Sequence, residues 1–161
     1  MPPRAELSAL SLKGRALRYL AAREHSRAEL ERKLSAHLPK DADPETLTRV
    51  LDELAAKALI SEARVAESVL NRRAARLGSA RVLNELRAKH LSDEVMASAA
   101  EQLRATEQAR AMQVWQTRFG QPPGNAAERA RQIRFLAGRG FSGDVIRHTL
   151  TAADARQAEN D

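Results

Sequence analysis

Leu17-Arg18-Tyr19-Leu20-Ala21-Ala22-Arg23-Glu24-His25-Ser26-Arg27-Ala28-Glu29-Leu30-Glu31-Arg32-Lys33-Leu34 decides the fold, because its pattern occurs three times. Leu17, Leu20, Ala22, Ser26, Leu30 and Leu34 return as Val69, Arg72, Ala74, Gly78, Val82 and Leu86. They return again as Ile133, Leu136, Gly138, Ser142, Ile146 and Leu150. Aligned on Ser26, Gly78 and Ser142, the copies agree without a gap: an apolar residue nine before, a small one four before, branched apolar residues four and eight after. Residues four apart share one helix face, and Ser and Gly both serve as helix N-caps, so the pattern reads helix, tight turn, helix. Recurrence of one such unit is the mark of a repeat architecture.

Outward from the first copy, residues 7–23 read as a helix with Leu10, Leu17 and Leu20 on one side. Ser26 and Glu29 form a capping box, and the second helix runs to about Leu38. Asp43-Pro44 reads as an N-cap followed by proline in the first helical position. Leu47, Val50, Leu51, Leu54 and Ala58 then follow at helical spacing. This makes residues 1–60 a first three-helix repeat.

A second repeat, 61–119, opens at the cap Ser61-Glu62, with Val65, Ala66, Val69 and Leu70 on its apolar face. Val82, Leu83 and Leu86 follow the Gly78 turn. Ser92 caps a long last helix carrying Met96, Ala99, Ala100 and Leu103, then Met112, Trp115 and Phe119; its stripe weakens over Thr106–Arg110, where a bend is expected. Gly120-Gln121-Pro122-Pro123-Gly124 breaks the helix and reads as a linker, 120–124. The third repeat, 125–161, is incomplete: a helix over 126–139, a second from Ser142 to about Thr151, and a polar tail that frays or adds one turn. No stretch alternates as a strand does, so the fold class is all-α.

Composition narrows the function. There is no cysteine, which removes disulfide and thiol chemistry. The N-terminus lacks the apolar core of a signal peptide and no apolar run reaches membrane-spanning length, so a cytoplasmic protein without membrane contact is expected. No pair among His25, His37, His90 and His148 has metal-ligand spacing. His25 and His90, near helix ends, are expected to see solvent or the helix dipole. Ser26, Ser61, Ser92 and Ser142 are accounted for by capping, and no phosphate-binding glycine loop occurs. No catalytic residue, metal or cofactor is expected, and the chain does not read as an enzyme.

Charge is more informative. The formal net charge is +6, carried mainly by arginine. Arg72, Arg73, Arg76, Arg81, Arg87 and Lys89 face only Glu85 over residues 68–90. Arg129, Arg131, Arg134, Arg139 and Arg147 form a second basic segment, against Glu128 and Asp144, whereas residues 24–67 are slightly acidic. Guanidinium forks suit phosphate and carboxylate oxygens, so this is a candidate phosphate track, to be weighed against a solvated helical face. Sequence-specific helix-turn-helix reading is disfavoured, because Glu29 and Asp144 stand where a recognition helix would meet DNA. The basic, aromatic-poor surface gives no hint of a large obligate interface, and a monomer is expected.

Three segments resemble a known family. Ala16 to Leu30 fits its first repeat. Lys57-Ala58-Leu59-Ile60-Ser61-Glu62-Ala63-Arg64-Val65-Ala66 is similar to its Leu-Ile-(Ser/Asp)-x-x-Arg-(Phe/Tyr)-Ala segment. Phe135-Leu136-Ala137-Gly138-Arg139-Gly140-Phe141-Ser142, followed by Ile146, resembles its closing motif. The family is the RecX family of regulatory proteins, and the similarity covers about residues 8–151. Val65 departs from the usual aromatic residue, which implies a smaller core contact. The resemblance implies tandem three-helix repeats in an extended, curved solenoid. It also implies binding to the RecA recombinase filament on single-stranded DNA, with inhibition of filament growth, ATP hydrolysis, strand exchange and the coprotease activity that triggers the SOS response. No partner-contacting residue is carried over. Charge clustering alone makes Arg72, Arg73, Arg76, Arg81, Arg87, Lys89, Arg131, Arg134 and Arg139 candidates for filament or DNA-phosphate contact. The rivals are a helical nucleic-acid-binding module with no recombinase partner and a general helical scaffold.

Overall fold

The computed structural model describes residues 11–161, and among them every regular element is helical. The order is α1 (Leu12–Ala22), α2 (Arg27–Ser35), α3 (Glu45–Ala56), α4 (Glu62–Arg73), α5 (Ser79–Arg87), α6 (Asp93–Arg118), α7 (Ala126–Gly138) and α8 (Gly143–Asn160). Two compact units divide them. The first runs to Val65 and takes in Lys89–Leu91; the second holds Ala66–Ala88 and Ser92–Asp161.

Caps set the helix starts. Ser26 Oγ accepts from Glu29 N–H at 3.2 Å while Glu29 Oε1 accepts from Ser26 N–H at 3.2 Å, the reciprocal pair expected. Ser61, Ser92 and Ser142 Oγ accept from Arg64, Val95 and Val145 N–H. At α3 the expected Asp43 cap falls one residue early: Pro44 holds the N-cap position without a side-chain bond, and Asp43 Oδ1, just outside, accepts from Glu45 N–H at 2.9 Å. Each of the serine caps stabilises its helix by about 1 kcal/mol.

The apolar positions after the three turns form the core: Leu30, Leu34, Val82, Leu86 and Leu150 are fully buried, and Ile146 nearly so. The position nine before the turn does not behave uniformly. Val69 is buried, but Leu17 and Ile133 are 39% and 37% exposed, and Ala16 and Gln132, one residue earlier, face inward instead. A helix turns 100° per residue, so a one-residue phase shift moves the buried stripe to a neighbouring row. Leu10 and the start of the helix expected over 7–23 lie outside the described residues.

Three other expectations are corrected. The second helix stops at Ser35, not Leu38, and turns take the chain onward. Ala58 lies beyond α3 with φ +56°, exposed, where the chain reverses and Leu59 N–H reaches back to Leu54 O at 2.9 Å. Most of the expected tail is helix: α8 continues from Thr151 to Asn160. Ala153 explains this, because it is 2% exposed and belongs to the same apolar cluster as Trp115, Leu136, Phe141, Ile146 and Leu150.

In the first unit, α1, α2 and α3 enclose Ala16, Leu30, Leu34, Leu47, Leu51 and Leu54. His25 is not solvent-facing as expected; it is 1% exposed. Its Nδ1 is 3.0 Å from Arg23 O and its Nε2 is 2.9 Å from Lys33 Nζ. An ammonium can only donate, so Nε2 accepts and Nδ1–H donates to the carbonyl. Burial, with Arg23 and Lys33 nearby, lowers the His25 pKa and keeps the ring neutral. Beside it, Glu29 bonds Arg23 at 2.7 Å and Lys89 at 3.0 Å.

In the second unit the Gly78 and Gly140 turns lie against each other. Gly78 N–H donates to Arg139 O at 2.8 Å and Ala80 N–H to Gly140 O at 3.3 Å. Gly78 offers no side chain to cap α5, and Glu107 of α6 contributes instead, its Oε1 3.4 Å from Ser79 N. One turn on, the Arg110 guanidinium donates to Ala74 O, Leu77 O, Ser79 Oγ and Leu103 O. Burial pushes the Arg110 pKa down, with Glu107 pulling the other way. The polar section of α6 is therefore a brace for the neighbouring turn, and α6 is one helix through it.

Residues 125–161 contribute two helices, α7 and α8, and their core closes on the C-terminal half of α6. Trp115 Nε1 donates to Gln132 Oε1 at 2.8 Å inside this core, and Gln132 Nε2 donates to Gln121 O at 3.2 Å.

Candidate functional site

The nine candidate basic residues divide by what they touch. Arg73 grips Glu85 through two nitrogens, at 3.1 and 2.8 Å. Arg81 Nη1 donates to Gly138 O at 2.7 Å, capping the end of α7. Lys89 is held by Glu29 and is 17% exposed. Arg87 bonds Asn84 Oδ1, and Arg72 bonds Ser68 O on its own helix. Arg134 is exposed on α7. Arg76, Arg131 and Arg139 differ: each stands beside an aromatic ring or a cavity.

That cavity, of about 300 Å³, is lined by Ala75, Arg76, Gln113, Val114, Thr117, Arg118, Phe135 and Arg139. Its aromatic wall is one half of a pair, since Phe119 and Phe135 meet edge to face with centroids 5.3 Å apart. The Arg139 guanidinium carbon lies 5.0 Å from the Phe135 centroid, and that of Arg118 lies 5.4 Å from Phe135 and 5.7 Å from Phe119. Arg131 lies 6.0 Å from Phe119. Ring faces attract guanidinium groups by about 0.5–1 kcal/mol at exposed sites, which orients them without consuming their in-plane N–H donors. Among the described residues, no acceptor meets the side-chain N–H groups of Arg76, Arg118 or Arg139. No carboxylate lines the cavity. The result is a concave cationic site with an apolar wall.

Charge counting alone missed Arg118, which stands apart from both basic segments at the end of α6. A sequence signal was nevertheless present: Arg131 and Phe135 stand four apart on one face of α7, with Arg139 four further on at its C-cap, although Arg118, next to Phe119, shows no such spacing. Glu107 and Arg110 were visible only as an interruption of an apolar stripe. A wider groove of about 1060 Å³, lined by Gln108, Met112, Gln116, His148 and Arg156 among others, lies between α6 and α8. Among the described residues no group of His, Asp and Glu is placed to hold a metal, and no helix is long and apolar enough to cross a membrane.

The helical repeat has counterparts among solved structures. RecX from Lactobacillus salivarius superposes with a TM-score of 0.70 over 89% of this chain and 95% of that one, at 20% identity, a likeness of fold. A family model described as the first three-helix domain of RecX matches residues 13–54. One described as the third three-helix domain matches 105–150, starting inside α6, where the core of the last helices begins to form. Regulatory protein RecX of Leptothrix cholodnii is 55% identical over 145 residues, covering 90% of both chains. Its namesake from Ralstonia nicotianae is 48% identical over 152 residues, covering 94% of both. Helical architecture, two domain matches and about half-identical sequence over nearly the full length agree: this chain belongs to the RecX family of regulatory proteins.

Proposed function

We propose that this RecX-family regulator binds the RecA recombinase filament on single-stranded DNA and inhibits its recombinase, ATPase and coprotease activities, without catalysing a reaction itself. The observation that carries the reading is the set of unpaired arginines around Phe119 and Phe135, in a chain with this family membership. A filament presents phosphate and carboxylate oxygens at regular intervals. A protein that offers oriented guanidinium forks on a repeat scaffold gains avidity by meeting several at once. Repeats at 1–60, 61–119 and 125–161, with a linker at 120–124, are the modules in this reading, and the protein acts as a cytoplasmic monomer.

The test is single-stranded-DNA-dependent ATP hydrolysis by the cognate recombinase, titrated with this protein. Loss of hydrolysis well below one protein per recombinase supports filament regulation by end capping or disassembly. Loss only at stoichiometric protein, reversed by added DNA, assigns the chain to the rival class of stand-alone nucleic-acid-binding modules. No effect at any level removes the proposal.

A further inference from the structure

We propose that the cavity between Arg76, Arg118, Arg139 and Phe135 is a nucleotide subsite, taking phosphate on the three guanidiniums and a base or sugar against the Ala75–Val114–Phe135 wall. It deepens the filament reading at the same arginines, and its test uses no recombinase, so the two readings can fail separately.

Three observations carry it. First, the arginines elsewhere show what satisfied guanidiniums look like here: Arg23, Arg27, Arg64 and Arg73 each meet a carboxylate at 2.6 to 3.1 Å. Arg76, Arg118 and Arg139 converge on one cavity with none. Their N–H donors are therefore open to an oxyanion, for which guanidinium forks are well matched. Second, two of the three are held over Phe135, so less conformational entropy is lost when an oxyanion arrives. Third, the remaining lining is mixed. Ala75, Val114 and Phe135 offer an apolar surface, and Gln113 and Thr117 offer an amide and a hydroxyl able to meet a base edge. Thr117 Oγ1 donates to Gln113 O at 2.9 Å, which leaves its lone pairs for an incoming donor.

The size decides between ligands. About 300 Å³ lies at the small end of ligand pockets and holds one compact group. An acidic peptide would need an extended groove for its backbone, and a bare phosphate would leave the apolar wall uncovered. A nucleotide fills both parts. It can arrive free, as a nucleoside diphosphate, or as one unit of a single strand, and the chemistry of recognition is the same.

The experiment uses the full chain with no recombinase present. Fluorescence anisotropy follows a labelled thymidine oligomer and, separately, a fluorescent ADP analogue, each across a salt series. Unlabelled ADP, pyrophosphate and a polyglutamate peptide serve as competitors. The expected result is saturable binding that Arg118→Gln with Arg139→Gln weakens by about tenfold or more. For the oligomer, the same pair lowers the salt slope by about 0.7 for each phosphate no longer neutralised. Phe135→Leu should weaken binding with the slope unchanged, because it removes the wall and not the charge. Saturation by the ADP analogue assigns the free nucleotide as ligand, and saturation by the oligomer alone assigns the strand. The proposal is overturned if neither probe saturates, if the arginine pair binds as the parent does, or if polyglutamate alone competes. Circular dichroism of each variant confirms that helix content is retained. Whatever the outcome, the filament reading stands or falls by its own ATPase titration.

Discussion

Gly78 and Gly140 are in backbone contact: a Cβ on Gly78 would lie 2.1 Å from the Gly140 carbonyl carbon and 2.2 Å from Phe141 N. These are main-chain atoms of a turn already fixed by hydrogen bonds, so the clash cannot be relieved by rotating a side chain. Gly78→Ala should therefore destabilise the second unit by about 3 kcal/mol, the upper end of ordinary overpacking, or prevent its folding. Gly138→Ala and Gly143→Ala are the controls, since a Cβ at either meets nothing within 4 Å. Both lie in helices and should be neutral or gain up to about 1 kcal/mol. Urea unfolding of the three variants measures the difference; equal losses would contradict the contact.

Arg110 should be among the most sensitive polar positions of the chain. Arg110→Met keeps most of the stem and removes the donors that serve Ala74 O, Leu77 O and Ser79 Oγ. Leaving such partly buried acceptors unpaired costs about 1–3 kcal/mol each. Arg110→Lys should recover little of this, since one ammonium cannot span the acceptors that the planar fork reaches. Hydrogen exchange should show the loss concentrated at the α4–α5 turn, with the first unit unchanged.

Acid should loosen the first unit through two groups acting in the same direction. Burial alone would raise the Glu29 pKa, but hydrogen bonds from Arg23, Lys89 and Ser26 N–H outweigh it and hold the carboxyl at about 2 against an ordinary 4.5. A carboxyl depressed in the folded state contributes stability above its unfolded pKa and loses it as pH falls through the folded value. The window is thus pH 4.5 down to about 2. His25 is lowered from 6.5 by burial, so the unfolded chain takes up its proton first and stability begins to fall below about that pH. Glu29→Gln should be less stable at pH 7 and should lack the lower part of the acid transition. An unaltered acid profile in chemical-denaturation midpoints would refute the assignment.

Ala58 holds φ +56° at the end of α3, a backbone state that glycine adopts without penalty and alanine does not. Ala58→Gly should raise stability by about 1 kcal/mol, visible as a higher thermal midpoint. The residue is exposed, so no packing is lost in exchange.

The parts of the molecule legible in the sequence were those whose causes lie within one or two helical turns. Ser26 with Glu29, and Leu30 with Leu34, reveal a cap and a buried stripe because their partners sit three and four residues away. His25 was misjudged as solvent-facing because its burial comes from Tyr19, Lys33 and the fold around them, not from its neighbours in sequence. Arg110 and Glu107 act on residues 28 to 36 positions distant. Within their own helix they look like a flaw in an amphipathic pattern. The cationic cavity was half visible. Charge density pointed to Arg76, Arg131 and Arg139 but also to Arg73, Arg81 and Lys89, which are engaged internally. Only tertiary structure separates an arginine that holds the fold from one whose N–H groups meet no acceptor.

Helical repeat proteins usually lengthen or shorten by copying or dropping whole repeats, because each one touches its neighbour across a generic surface. The paired glycine turns remove that freedom here. A copy inserted between residues 78 and 140 would have to bring its own bare backbone to both sides of the seam, and would part Gly78 from the carbonyl of Arg139. The two turns therefore fold as one piece: neither can shift along the chain without unmaking the hydrogen bond that Gly78 N–H donates to Arg139 O.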